Sequence, residues 1–78
     1  MARAQYFVVN RDGEWKIKYR EEMFGPYISQ AEALRLAIDA AHGLGKRGDE
    51  TQVLIEGEPN HFSPQWTYGQ SPYPPRGL

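Results

Sequence analysis

The sequence predicts a small α+β domain in which an antiparallel sheet of three to four strands packs on one helix, in the order β-β-β-α-β. Three observations predict this class: a hairpin signal near residue 12, strict alternation over residues 14–20, and a capped amphipathic stretch that begins at Ser29. A chain near 78 residues buries only about 60% of the surface that its unfolded form exposes. The core is therefore expected to be thin.

The first two strands are predicted to form a hairpin. Residues 5–10 are rich in β-branched and aromatic side chains, and the Asp12-Gly13 pair after them is typical of a tight turn that needs positive φ. Over residues 14–20, apolar and charged side chains alternate with the period of a half-buried strand. The apolar row is Trp15, Ile17 and Tyr19. A third, weaker strand is expected within residues 23–28, short and at a sheet edge because Pro26 cannot donate to a ladder.

A helix is predicted to begin after Ser29, because Glu32 follows three residues later in the capping-box arrangement. Its apolar stripe falls at helical spacing on Leu34, Ala37, Ile38 and Ala41. Gly43 and Gly45 are candidate cap residues, so the helix is expected to end between residues 42 and 46. Leu36 lies on the otherwise polar side of this pattern, and together with the proline-bearing edge strand it offers a weak dimer surface.

Residues 51–57 predict a last strand, apolar at its centre and therefore interior to the sheet. Residues 1–57 are thus interpreted as one domain. Residues 58–78, here called the tail, show no helical or strand period and hold four of the ten aromatic residues and five of the six prolines.

Four segments of the domain resemble a known family. They are Tyr6-Phe-Val-Val, Gly13-Glu-Trp-Lys-Ile-Lys, Ser29-Gln-Ala-Glu-Ala-Leu-Arg-Leu-Ala and Val53-Leu-Ile-Glu-Gly. Together they look like the small prokaryotic domain of unknown function DUF2188, over roughly residues 4–57. The resemblance implies a small α+β fold in a bacterial, cytoplasmic protein and implies no activity. The step Glu58-Pro59-Asn60 departs from the short glycine turn usual in that family.

Composition excludes several kinds of chemistry. The absence of cysteine removes disulfides, thiol catalysis and cysteine-ligated zinc. With two histidines, His42 and His61, and no cysteine, a metal site would need carboxylates to complete it. His42 with Asp39 is one weak ligand pair, short of the three protein ligands of a catalytic zinc site, so His42 is expected on the solvated face of the helix. No apolar run approaches the ~20 residues of a membrane span, and the N-terminus lacks a signal-peptide pattern. We therefore expect a cytoplasmic protein that is not an enzyme and has no cofactor, metal or membrane partner.

A possible nucleic-acid or partner face is predicted on the second strand, where Lys16, Lys18 and Arg20 share one side. Residues 1–20 have a local charge of +3, whereas residues 21–78 have −4. A three-stranded sheet followed by one helix resembles the arm-type DNA-binding domains of tyrosine recombinases, which lay such a face in the major groove. The alternative is an ordinary solvated strand face, which the overall net charge of −1 favours.

The tail allows two interpretations. Pro72 and Pro75 have the spacing of polyproline ligands, so this segment could dock on an aromatic groove of another protein. Alternatively Trp66, Tyr68 and Tyr73 pack on the domain itself, which we favour because exposed large aromatic side chains are unfavourable in water.

The function that the sequence favours is that of a non-enzymatic interaction or accessory module with an unknown protein partner. The alternative is nucleic-acid binding, and the oligomeric state is open.

Overall fold

The computed structural model describes residues 2–57 and 61–76. Within these ranges it has five strands and one helix in the order β-β-β-α-β-β. They are β1 (Arg3–Arg11), β2 (Glu14–Tyr19), β3 (Glu22–Tyr27), α1 (Gln30–Lys46), β4 (Glu50–Glu56) and β5 (Phe62–Thr67). The step at residues 58–60, where the sequence departs from the family pattern, lies outside the described residues. No helix in the described ranges is long and apolar enough to cross a membrane.

The five strands form one mixed sheet in the order β3-β2-β1-β4-β5. The α+β class is confirmed, but the expectation of a purely antiparallel sheet of three to four strands is wrong, because β4 pairs with β1 in parallel. Two hairpins leave β3 running in the direction of β1, and α1 then brings the chain back across the sheet. The strand after such a helical crossover runs in the starting direction, and the free side of β1 receives it.

The fifth strand comes from a segment in which no strand period was expected. β5 pairs antiparallel with β4, with Gln52 opposite Thr67 and Glu56 opposite Phe62. The period is hidden because the register shifts between Val53 and Leu54, and because Pro64 interrupts the strand. An edge strand tolerates both a bulge and a proline.

The caps of α1 differ partly from expectation. The Ser29 hydroxyl accepts a hydrogen bond from the Glu32 amide at 3.1 Å, and the Glu32 carboxylate accepts one from the Ile28 amide at 3.0 Å. At the other end, Gly43 and Gly45 lie inside the helix, and the left-handed residue after it is Gly48, with φ of 101°. The Gly48 amide donates a hydrogen bond to the Gly45 carbonyl at 3.0 Å, and the Asp49 amide donates one to the Leu44 carbonyl at 3.2 Å. These two bonds are those of a Schellman motif.

The main core lies between α1 and one face of the sheet. Ala33, Ala37 and Ala41 present the small side of the helix, which lets its axis approach the strands closely. The sheet contributes one buried row from each of the inner strands, including Val8, Ile17 and Val53. Trp66 of β5 belongs to the same cluster and is only 3% exposed. The opposite, open face of the sheet has no helix among the described residues.

Candidate functional site

The two flanks of α1 differ in how they are covered. On the flank next to β5, the ring of Tyr73 stacks on His42, with centroids 3.7 Å apart and planes 5° from parallel. The Tyr73 hydroxyl donates to Asp39 Oδ1 at 2.7 Å, and Trp66 Nε1 donates to the Pro72 carbonyl at 2.8 Å. His42 is thus half-buried beneath the chain after β5, and the expectation that it lies on a solvated surface is wrong.

Among the described residues, none covers the other flank of α1 in this way. A groove of about 430 Å³ lies between the helix and the β2–β3 hairpin. We call it the aromatic groove, and its main lining residues are Tyr6, Tyr19, Glu22, Phe24, Tyr27 and Leu36. Leu36 is 43% exposed and Phe24 is 40% exposed, although both have large apolar side chains. Of the six exposed large hydrophobic residues in the described ranges, two, Phe24 and Leu36, line this groove.

Two tyrosines form the floor of the aromatic groove. Tyr6 of β1 and Tyr19 of β2 are opposite each other in the sheet, and their rings stack at 4.4 Å with an angle of 13°. Burial, and secondarily the neighbouring Tyr19, raises the pKa of Tyr6 above its ordinary value of 10.0, whereas Arg20 opposes the rise. Like any tyrosine at neutral pH, Tyr6 is protonated, and its hydroxyl is a hydrogen-bond donor.

A second, polar recess of about 350 Å³ lies at the other side of the sheet, along β4 and β5. Its side chains already bond one another: Gln5 Nε2 donates to Gln52 Oε1 at 3.3 Å, and Gln52 Nε2 donates to Thr67 Oγ1 at 3.5 Å. Arg3 at its rim lies 3.8 Å from a Glu50 carboxylate oxygen. These bonds occupy part of the polar lining of the recess, whereas the lining of the aromatic groove is mainly apolar.

The predicted basic face is only partly assembled. Lys16 and Lys18 lie on β2 and share the open face, but Lys16 Nζ is 3.6 Å from Glu14 Oε1. Arg20 lies after the end of β2 with φ of 57°, and its guanidinium carbon sits 5.2 Å from the centre of the Tyr19 ring. It therefore leaves the row, because the left-handed turn at the end of β2 breaks the strand alternation.

The tail residues singled out by the sequence come together around α1. Trp66 and Tyr68 approach each other at 6.2 Å between ring centres, and both rings lie near His42. Pro72 supplies the carbonyl that Trp66 bonds, whereas Pro75 is half-buried. This placement leaves the aromatic groove on the opposite flank uncovered by the described part of the tail.

Sequence reasoning did not find the aromatic groove. Phe24 and Tyr27 belong to the strand with the weakest pattern, and the groove depends on how β3 and α1 pack. The one signal in the sequence was Leu36, an apolar residue on the polar side of the helix.

The fold and the site define a small α+β domain with a mixed five-stranded sheet and an uncovered aromatic groove beside its helix. Among residues 2–57 and 61–76, no cluster of three or more histidine, cysteine, aspartate or glutamate side chains is placed to hold a metal ion. Comparisons with protein-family models, with curated proteins and with solved structures found no match for this chain. The resemblance to DUF2188 therefore stays a prediction.

Proposed function

We propose that this protein is a non-enzymatic interaction domain that holds a segment of a partner protein in the aromatic groove. The observation that supports it is the asymmetry of α1: Tyr73 covers His42 on one flank, whereas Leu36 and Phe24 stay exposed on the other. Contiguous exposed apolar side chains are typical of interaction sites.

The chemistry of the groove favours binding over catalysis. Its lining offers phenol rings, aliphatic side chains and a single carboxylate, that of Glu22, with no imidazole, thiol or amine beside it. Nucleophilic or acid–base catalysis needs a nucleophile and a base within hydrogen-bond reach of each other. Complete burial of a side chain such as Phe or Leu is worth about 1.5–3 kcal/mol, so covering the exposed part of Phe24 or Leu36 contributes about 1 kcal/mol each.

The test is a selection from a random displayed-peptide library on the wild-type protein, with counter-selection on Leu36→Lys. Leu36 is half-exposed, so lysine is accepted there without disturbing the core. The proposal predicts enriched peptides that bind the wild type and not the variant. Enrichment that is equal on both proteins, or no enrichment, would refute binding in the groove. The resemblance to DUF2188 adds the prediction that the partner belongs to the bacterial cytoplasm.

Nucleic-acid binding through the open face is the second candidate. It is favoured by one observation: Lys18 is the cross-strand partner of Phe7, and the Phe7 ring meets the Phe62 ring edge-to-face at 5.0 Å. Basic side chains beside aromatic rings are the combination used to hold single strands. We rank it below the groove because Lys16 is already next to Glu14, and because Arg11 pairs with Glu56 on the same face.

A further inference from the structure

We propose that the occupant of the aromatic groove is a proline-rich segment of another protein, in polyproline II conformation, with a basic residue next to its prolines. This inference rests on the proposed function and specifies its ligand. Three features of the groove support it: its shape, its aromatic rings and its single charge.

The shape disfavours the two regular alternatives. A ligand strand would have to extend the sheet at the β3 edge, where Pro26 has no amide hydrogen to donate. A docked α-helix, about 10–12 Å across, needs a groove deep enough to take the side chains of one helical face. The helix flank here is shallow, since Ala37 and Ala40 line it beside Leu36. An extended ligand that inserts single rings fits this space better.

The aromatic lining favours proline as the inserted ring. Tyr19, Phe24 and Tyr27 come from two adjacent strands and face one flank of α1, as in grooves that take polyproline segments. A polyproline II chain makes no internal hydrogen bonds, so its carbonyl groups remain available as acceptors. Tyr6 lines the groove, and its hydroxyl is a suitable donor to them. Such a ligand is also largely ordered before it binds, which lowers the entropy lost on binding.

The charge of the lining predicts the basic residue. Glu22 is the one charged side chain among the described residues that line the groove. The guanidinium carbon of Arg20 lies 5.2 Å from the centre of the Tyr19 ring. A cationic side chain on the ligand would therefore complement the groove at Glu22 and would also favour one orientation of the segment.

The chain's own proline-rich segment is not the expected occupant. Residues 72–76 read Pro-Tyr-Pro-Pro-Arg, which has the required composition. In this structure, however, the segment lies on the opposite flank of α1, fixed by the bonds from Tyr73 to Asp39 and from Trp66 to Pro72. A second copy would have to break these contacts to reach a neighbouring groove, whereas a different protein would not.

The test is a titration of the isotope-labelled full chain with a synthetic oligoproline peptide that ends in arginine, followed by NMR chemical shifts. We expect shifts at Tyr19, Phe24 and Leu36 that saturate, and none at His42 or Gln52. A peptide with glycine in place of every proline should not bind. A peptide with glutamate in place of arginine should bind several-fold more weakly.

Two pairs of variants make this test specific. Phe24→Ala should weaken binding about fivefold, whereas Phe62→Ala, at a residue of nearly equal exposure (38% against 40%) on the open face, should leave it unchanged. Glu22→Gln should remove the difference between the arginine and glutamate peptides. Glu21→Gln is its control, because Glu21 is exposed and does not line the groove.

The outcomes separate this inference from the proposed function. If the oligoproline peptide causes no shifts while the display selection gives Leu36-dependent peptides of another class, the inference is wrong and the groove remains a binding site. If both experiments fail, both proposals are wrong. Binding of a peptide with the sequence of residues 71–76, together with concentration-dependent dimerisation of the full chain, would replace the foreign partner with a second copy.

Discussion

The ring of Tyr68 packs directly against the α-carbon of Gly45, so that a β-carbon at position 45 would overlap Tyr68 Cγ and Cδ1. Gly43, on the exposed side of the same helix, has nothing within 4 Å of the corresponding position. The close approach lets the chain after β5 lie flat on the last turns of α1. The absence of a side chain at position 45 therefore serves packing, whereas at position 43 it only weakens the helix.

The first prediction compares alanine at these two glycines. Helix propensity alone favours Ala over Gly by about 1 kcal/mol at either position. Gly43→Ala should raise the free energy of unfolding by up to that amount. Gly45→Ala should lower it by about 1–3 kcal/mol, because Tyr68 must move out of a packed position. Urea denaturation followed by circular dichroism measures both.

A double variant shows whether Tyr68 is the cause. In a Tyr68→Ala background the overlap is gone, so Gly45→Ala should become neutral or stabilising, as at Gly43. Equal stabilisation by alanine at both glycines in the otherwise wild-type chain would contradict the packing of Tyr68 on α1.

The second prediction concerns Trp66, which brings β5 into the main core. Its side chain is 3% exposed and its indole donates to the Pro72 carbonyl at 2.8 Å. Trp66→Ala should cost about 3–5 kcal/mol. A domain of this size has a total stability of only about 4–12 kcal/mol, at about 0.05–0.15 kcal/mol per residue. Truncation after Gly57 should therefore lower the melting temperature sharply and shift the tryptophan fluorescence.

Tyr73→Ala is the control for this prediction, because it removes the exposed ring over His42 and leaves β5 in place. Its effect on the melting temperature should be far smaller than that of Trp66→Ala. Unchanged stability after truncation at Gly57 would mean that β5 contributes nothing to the core.

The elements that could be predicted from the sequence are those that depend on neighbouring residues in the chain. The first hairpin, α1 and β4 were predictable because their signals are local: the Asp12-Gly13 turn, the Ser29 cap and apolar residues at regular spacing. Alternation shows which face of a strand is buried but not which strand is its neighbour, so the parallel pairing of β1 with β4 was missed. The aromatic groove was missed for the same reason, since Phe24 and Leu36 meet only after β3 and α1 pack.

The third prediction is a loss of stability at alkaline pH. The hydrogen bond to Asp39 is the main factor that raises the pKa of Tyr73, and burial is the main factor that raises the pKa of Tyr6, each above the ordinary value of 10.0. The folded chain therefore holds these protons more tightly than the unfolded chain. The stabilisation is fully present below pH 10.0, and it is lost as the pH rises through the folded-state pKa values.

Phenolate absorbance measures the two pKa values, and urea denaturation below and above pH 10.0 measures the loss of stability. The folded protein should show late-titrating tyrosines above pH 10.0, and Tyr6→Phe and Tyr73→Phe should each remove one of them. Tyr73→Phe keeps the ring that stacks on His42 and removes only the hydroxyl that bonds Asp39. In denaturant, the late phase should vanish. A late phase that survives in the double variant would contradict this assignment.

The fourth prediction tests the open face as a nucleic-acid site through two changes of opposite direction. Glu14 lies 3.6 Å from Lys16 Nζ, so Glu14→Gln frees this cation and should strengthen binding of a labelled single-stranded oligonucleotide. Lys18→Ala should weaken it and lower the slope of log affinity against log salt by about one. Lys46→Ala, at the end of α1, is the matched control and should leave both affinity and slope unchanged. If the wild type binds neither single strands nor duplex at low salt, or if Lys46→Ala weakens binding as much as Lys18→Ala does, the open face is not the site.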